Sequence, residues 1–202
     1  MKKFLVFLLT AAMIFSVIGC AQPAAEEAPA VEEAPVEEAV VEEAAPEAAP
    51  YVAIVSKGFQ HKFWQTVYQG SQDAAAEYGV EITFEGPPSE SDIAEQVNML
   101  NAALAKNPAA LCLAALDTES VSEQLNACLT NGVPVIGFDS GVPNAPEGSI
   151  LSTASTDNTA AGALAAENAV RLLEGKGKVA IIGHSQTMID GVQRVEGFAD
   201  YI

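Results

Sequence analysis

Residues 51–202 predict an α/β fold built on a doubly wound parallel sheet. Three observations carry this reading. Short apolar runs recur without the strict alternation of a half-exposed strand, the pattern of parallel strands buried on both faces. Stretches of helical period separate them, as parallel neighbours require a crossover. Glycine closes two of those stretches, where a left-handed residue ends a helix without a Cβ penalty.

The first run is VAIV (52–55), and the helical pattern after it extends from about Phe63 to Tyr78 and stops at Gly79. VEITF (80–84) is next. Ser91 is the expected N-cap of a second helix, with Asp92 favourable in the first turn and Ile93, Val97, Leu100 and Leu104 on one stripe. ALCLAAL (110–116) precedes a third helix marked by Val121, Leu125 and Cys128 and ended by Asn131-Gly132. VPVIGF (133–138) follows. Thr156 or Asp157 caps an alanine-rich helix whose small side chains allow close packing, and KVAIIG (178–183) is the last strand-like run.

Ligands of open parallel sheets sit beyond the carboxyl ends of the strands, where the strand-to-helix loops converge. Phe59, His61, Phe63 and Trp64 follow the first strand, so they fall at the binding edge. Phe63 and Trp64 are adjacent on a helix and about 100° apart. Only one can face the sheet squarely; the other leans toward the cleft.

At the N-terminus, Lys2 and Lys3 precede an uncharged apolar run from Phe4 to Ile18, the layout of a secretory signal over residues 1–20. Its ending, Val17-Ile18-Gly19-Cys20, resembles the lipobox of bacterial lipoproteins, which implies diacylglycerol on Cys20 and a stable tether to the outer face of the cell membrane or a periplasmic location. Residues 21–50 repeat Glu-Glu pairs among Ala and Pro, with no aromatic or basic residue. Such a segment cannot bury enough apolar surface to fold and is expected to act as a disordered acidic stalk.

The formal net charge is -18, and nine of the glutamates lie in the stalk. An acidic chain argues against nucleic acid or an anionic membrane surface as partner. Cys112 and Cys128 sit within apolar patterns and read as buried thiols.

Taken in order, VAIVS followed by Phe63-Trp64, Gly70 and Ala74–Gly79, then VPVIGFDSG (133–141), STDN (155–158) and QRVEGFADYI (193–202) resemble the periplasmic sugar-binding proteins of the ribose-binding type. These are substrate-capturing subunits of ABC transporters. The resemblance spans residues 51–202 and implies two α/β lobes with a sugar between them, here 51–153 and a partial lobe from 154 to 202. Pyranose rings have apolar faces and a girdle of hydroxyls, so aromatic planes and forked polar groups hold them.

On that basis Phe63 and Trp64 are the expected stacking platform, with core packing as the competing role. Asp139 is the expected carboxylate accepting from ring hydroxyls, against a plain turn aspartate in FDSG. His61 replaces a polar contact of the family, and His184 and Gln186 follow the last strand-like run. Arg194 matches the arginine of the family's RxxGF pattern. Val192 and Ala114 stand where ribose binders carry an arginine and an asparagine, which speaks against ribose itself. Asp157 and Asn158 occupy the crossing between lobes, where capping and ligand contact compete.

The expected partners are therefore a small-molecule sugar, an ABC permease and the membrane through Cys20, with no cofactor and no metal, the chain acting as a monomer. A sensory role, presenting the sugar to a chemoreceptor or sensor kinase, is the alternative. No G-x-S-x-G elbow, metal-ligand cluster or phosphate-cradling loop is present in the sequence, so an enzyme is not expected. Ending at GFADYI within a helical pattern, the chain also reads as a fragment that binds weakly and aggregates readily.

Overall fold

The computed structural model describes residues 48–202; the expected signal, Cys20 and nearly all of the stalk lie outside the described residues. The elements run β1 (Tyr51–Val55), α1 (Lys62–Tyr78), β2 (Glu81–Glu85), α2 (Ile93–Leu104), β3 (Ala110–Leu113), α3 (Ser122–Asn131), β4 (Val135–Phe138), β5 (Ser152–Ala154), α4 (Asn158–Leu172) and α5 (Ile189–Tyr201). All five strands are parallel, in the order β2-β1-β3-β4-β5. Because β2 and β3 leave β1 on opposite sides, the loops after β1 and β3 diverge and open a crevice at their carboxyl ends.

The alternating residues Ala53 and Val55, Leu111 and Leu113, and Val135 share one face of the sheet and are buried. Leu100 and Ala103 of α2 and Val121, Leu125 and Cys128 near and within α3 complete that core. On the opposite face α1 covers β1 and β2, with the Tyr68 and Phe84 rings 5.2 Å apart. Burial pushes both the Cys112 and Cys128 thiols up from their ordinary pKa, as expected for inert, desolvated cysteines.

Gln96 of α2 is buried and reaches the two strands that flank the crevice. Its Nε2 donates to the Ser56 and Ala114 carbonyls at 2.9 Å each, and its Oε1 accepts from Leu116 N–H at 2.9 Å. The amide thus holds the ends of β1 and β3 in fixed relation, with its buried donors and acceptor satisfied.

Most helix ends fall near their sequence signals. Gly79 and Gly132 close α1 and α3 in the left-handed region, with φ of 66° and 69°. Asp157, rather than Thr156, caps α4 by accepting the Ala160 N–H at 2.9 Å. Ser91 does not cap α2. The helix begins at Ile93, and Ser91 lies in a turn where Ser89 Oγ takes its N–H at 3.3 Å and meets its hydroxyl at 2.8 Å.

Two strand expectations are corrected. ALCLAAL is a strand only to Leu113, since beyond it Ala114 and Leu116 turn onto Gln96. KVAIIG is not a strand: among the described residues no neighbour offers it a ladder, and Ile182 is 96% exposed. An extended run needs paired N–H and C=O groups as well as apolar side chains. The short β5, which no apolar run announced, forms because β4 offers an edge.

The α4–α5 pair packs through glycine. A Cβ on Gly162 would meet the Arg194 carbonyl oxygen, and one on Gly197 would meet the Thr159 carbonyl oxygen, each at 2.2 Å. Close backbone approach there fixes the register of α5, and with it the residues that α5 presents toward the sheet.

Candidate functional site

The crevice opens into a cleft of about 580 Å³. Its walls come from the loops after β1, β2 and β4, from the start of α1, and from α5 with the segment before it. The side chains His61, Phe63, Trp64, Asp139, His184 and Arg194 all line it, joined by Lys57, Glu90 and Asp190.

Lys57 is the centre of the arrangement. It lies two residues beyond β1, is only 3% exposed, and places Nζ 2.7 Å from Asp139 Oδ2 and 3.1 Å from Asp190 Oδ2. A buried ammonium is tolerated only when paired and hydrogen-bonded; both carboxylates pair with it, and Asp190 Oδ2 accepts its hydrogen bond. Its Nζ also stands 6.0 Å from the centre of the Trp64 ring system, at the outer limit of a cation–π contact.

Asp139 has a φ of 60°, a left-handed conformation that Asp adopts more readily than most side-chain-bearing residues. Ser140, directly after it, is anchored by Oγ donating to the Ala115 carbonyl at 3.0 Å. The turn is therefore fixed on both sides, because Asp139 N–H also donates to Ala154 O at 2.8 Å.

The aromatic pair divides its labour. Trp64 is 2% exposed and packs edge-on to Phe138 at 6.2 Å between ring centres, whereas Phe63 is 47% exposed and meets Trp64 edge-on at 4.8 Å. Trp64 Nε1–H donates to Glu90 Oε1 at 2.7 Å, and Glu90 Oε2 lies 3.2 Å from His184 Nε2. His61 is the N-cap of α1, its Nδ1 accepting the Phe63 N–H at 3.1 Å. That bond fixes the tautomer and leaves Nε2–H as the free polar atom of the ring.

The other expected residues are placed differently. Asn158 is buried in a smaller adjoining recess that also contains Asp139, and its Oδ1 accepts from Arg194 Nε at 2.8 Å. Asp157 does not line the cleft, since its carboxylate caps α4. Gln186 is exposed and outside it too, in a turn held by Ser185 Oγ accepting the Thr187 and Met188 N–H groups at 3.1 Å.

Lys57, Glu90 and Asp190 were not anticipated from sequence. Each follows a strand or opens a helix at the carboxyl edge, so the edge rule was signal enough to nominate them. Their pairing was not visible, because Lys57 and Asp190 lie 133 positions apart.

Comparison with known proteins finds relatives of the chain. The family described as the periplasmic binding protein domain matches residues 52–202. The D-allose-binding periplasmic protein of Escherichia coli (strain K12) is 26% identical over 155 residues, covering 74% of this chain and 50% of that protein. An "ABC transporter, LacI family transcriptional regulator" from Brachyspira murdochii is 41% identical, with a TM-score of 0.68 over 76% of this chain and 51% of its own. An ABC transporter solute-binding protein from Agrobacterium vitis with bound D-fucose is 32% identical, with a TM-score of 0.71 over 75% of this chain and 52% of its own. The chain spans about half the length of each.

Proposed function

The chain belongs to the periplasmic binding protein domain family, and from that premise we propose that its cleft captures a neutral sugar for delivery to an ABC permease. It acts as a binding protein and not as an enzyme, exported and tethered to the membrane through a lipid on Cys20. One observation carries the reading: an exposed aromatic ring, Phe63, shares the cleft with a buried ammonium set between two carboxylates. Pyranoses present the same combination in complement, an apolar face beside a ring of hydroxyls.

The energetics fit such a ligand. Hydrogen bonds to charged groups contribute about 1.5–3 kcal/mol each, so Asp139 and Lys57 account for much of the affinity. Relatives described as D-allose-binding and as D-fucose-bound support the ligand class.

The test is a titration followed by the fluorescence of Trp64, the only tryptophan. D-allose or D-fucose is expected to give a saturable change, and Asp139→Ala to weaken it by about tenfold or more. A folded chain that responds to neither sugar overturns the reading; an unaffected Asp139→Ala variant removes Asp139 from the site.

A further inference from the structure

Glu90 spends its two carboxylate oxygens on different parts of the molecule. Oε1 accepts the Trp64 indole N–H at 2.7 Å, and Oε2 lies 3.2 Å from His184 Nε2. Glu90 stands in the loop after β2, whereas His184 lies in the segment before α5, 94 positions later. The pair therefore ties the body of the sheet to the other wall of the cleft.

The two walls are joined differently from the elements within each. α4 and α5 meet backbone to backbone at Gly162 and Gly197, which makes them one rigid pair. The segment before α5 and its first turn meet the sheet through polar contacts that include Asp190 with Lys57 at 3.1 Å, Thr187 Oγ1 donating to the Leu116 carbonyl at 3.2 Å, and His184 with Glu90. Contacts of this kind are individually weak and exchange with water more easily than packed apolar surface does, so this boundary is where the cleft opens.

Histidine is the side chain whose ordinary change of charge falls between pH 5 and 8. Protonated, His184 faces Glu90 as an ion pair; neutral, it keeps at most a hydrogen bond from Nε2–H. The other charged groups of the cleft are Lys57 after β1, Asp139 after β4, and Asp190 and Arg194 on α5, with His61 at the start of α1 as the second imidazole. With Glu90 counted, three carboxylates stand against two cations, so an imidazolium enters a lining with an excess of negative charge.

We propose that Glu90 and His184 form a pH-sensitive latch across the cleft: protonation of His184 strengthens the pair and holds the segment before α5 against the sheet. The pair forms only when the walls are together, so a ligand that selects the closed arrangement is bound more tightly when His184 carries its proton. That gain is present in mild acid and is lost as pH rises through the imidazole range. His184 acts here by holding the cleft shut and not by touching the ligand. The effect on affinity rests on the sugar-binding reading; the latch itself does not.

Trp64, the only tryptophan, shares Glu90 and so reports the latch without any ligand. In the full chain its emission is expected to step between about pH 5.5 and about pH 8. The Kd for the tighter-binding of D-allose and D-fucose, neither of which titrates, is expected to be about two- to fivefold lower at the acid end, the effect of a partly exposed ion pair. His184→Gln keeps a donor for Glu90 without the charge, and Glu90→Gln keeps an acceptor for the indole. Each is expected to flatten the emission step and bring the ratio of the two affinities near unity. His61→Asn, which retains a helix cap, is expected to keep both the step and the ratio. An unaltered chain with no step, a step that persists in His184→Gln, a step lost in His61→Asn, or an affinity ratio that His184→Gln leaves in place overturns the latch while sugar binding stands. If neither sugar binds at either pH, the sugar reading fails and the emission step alone decides for or against the latch.

Discussion

Trp64 serves the core and the cleft at once, and removing its polar handle separates the two roles. Trp64→Phe keeps most of the buried area but leaves Glu90 Oε1 without the indole donor now 2.7 Å away. A destabilisation of about 1–3 kcal/mol is expected from urea unfolding. Asp117 makes a pH-dependent contribution of its own. Burial, the largest single influence, raises its pKa, but the side-chain and backbone hydrogen bonds from Ser120 and the backbone bond from Glu119 together outweigh it, so the pKa is lowered. The folded state therefore favours the carboxylate. This stabilisation is present above the unfolded value of about 3.9 and is lost as pH falls through the lower, folded value. Asp117→Ala is expected to lower the urea midpoint at neutral pH and to have no effect in strong acid; an effect that grows with acid contradicts the account. At this scale the sequence reading put the aromatic pair at the carboxyl edge because it opens the helix after the first strand, and Asp139 beside it through the family resemblance. It missed Lys57, Glu90 and Asp190, since a lone polar residue in a loop carries no sign of the distant partner that makes it a site.

The elements are joined by a few contacts that substitution can test singly. Gln96→Leu removes three hydrogen bonds and leaves the Leu116 N–H and the Ser56 and Ala114 carbonyls to find other partners at the crevice. A loss of about 2–5 kcal/mol in urea unfolding is expected, at roughly 1–3 kcal/mol per stranded buried group and partial relaxation; a change well under 1 kcal/mol would show that water or loop movement replaces the amide. Gly197→Ala is a second case. The added methyl would lie 2.2 Å from the Thr159 carbonyl oxygen, forcing α4 and α5 apart at a cost of about 1–3 kcal/mol and weakening ligand binding through displacement of Asp190. Helix ends were legible because Gly79, Gly132 and Asp157 each satisfy a local rule. KVAIIG misled for the opposite reason: apolar content is local, but a strand exists only when a second strand accepts its hydrogen bonds. The role of Gln96 was hidden on similar grounds, as a glutamine in an amphipathic helix reads as a solvated residue until the sheet end beside it is known.

For the molecule as a whole, the strand order β2-β1-β3-β4-β5 decides where a ligand goes, because it opens the crevice at the divergence of β2 and β3 from β1. The parallel sheet and the crevice at its carboxyl edge were readable from apolar runs and helix signals. What faces the crevice from the far side was not, since it depends on how α5 docks. The central claim is that this cleft holds a neutral sugar against Phe63 and the carboxylate–ammonium cluster. Heteronuclear NMR of the labelled chain with millimolar D-allose or D-fucose tests it most directly, since even weak binding shifts resonances. The account predicts saturable shifts at the Trp64 indole N–H and at the amides of Lys57, His61, Asp139 and Asp190. A well-dispersed spectrum that either sugar leaves unchanged, or shifts confined to residues away from the cleft, would contradict it.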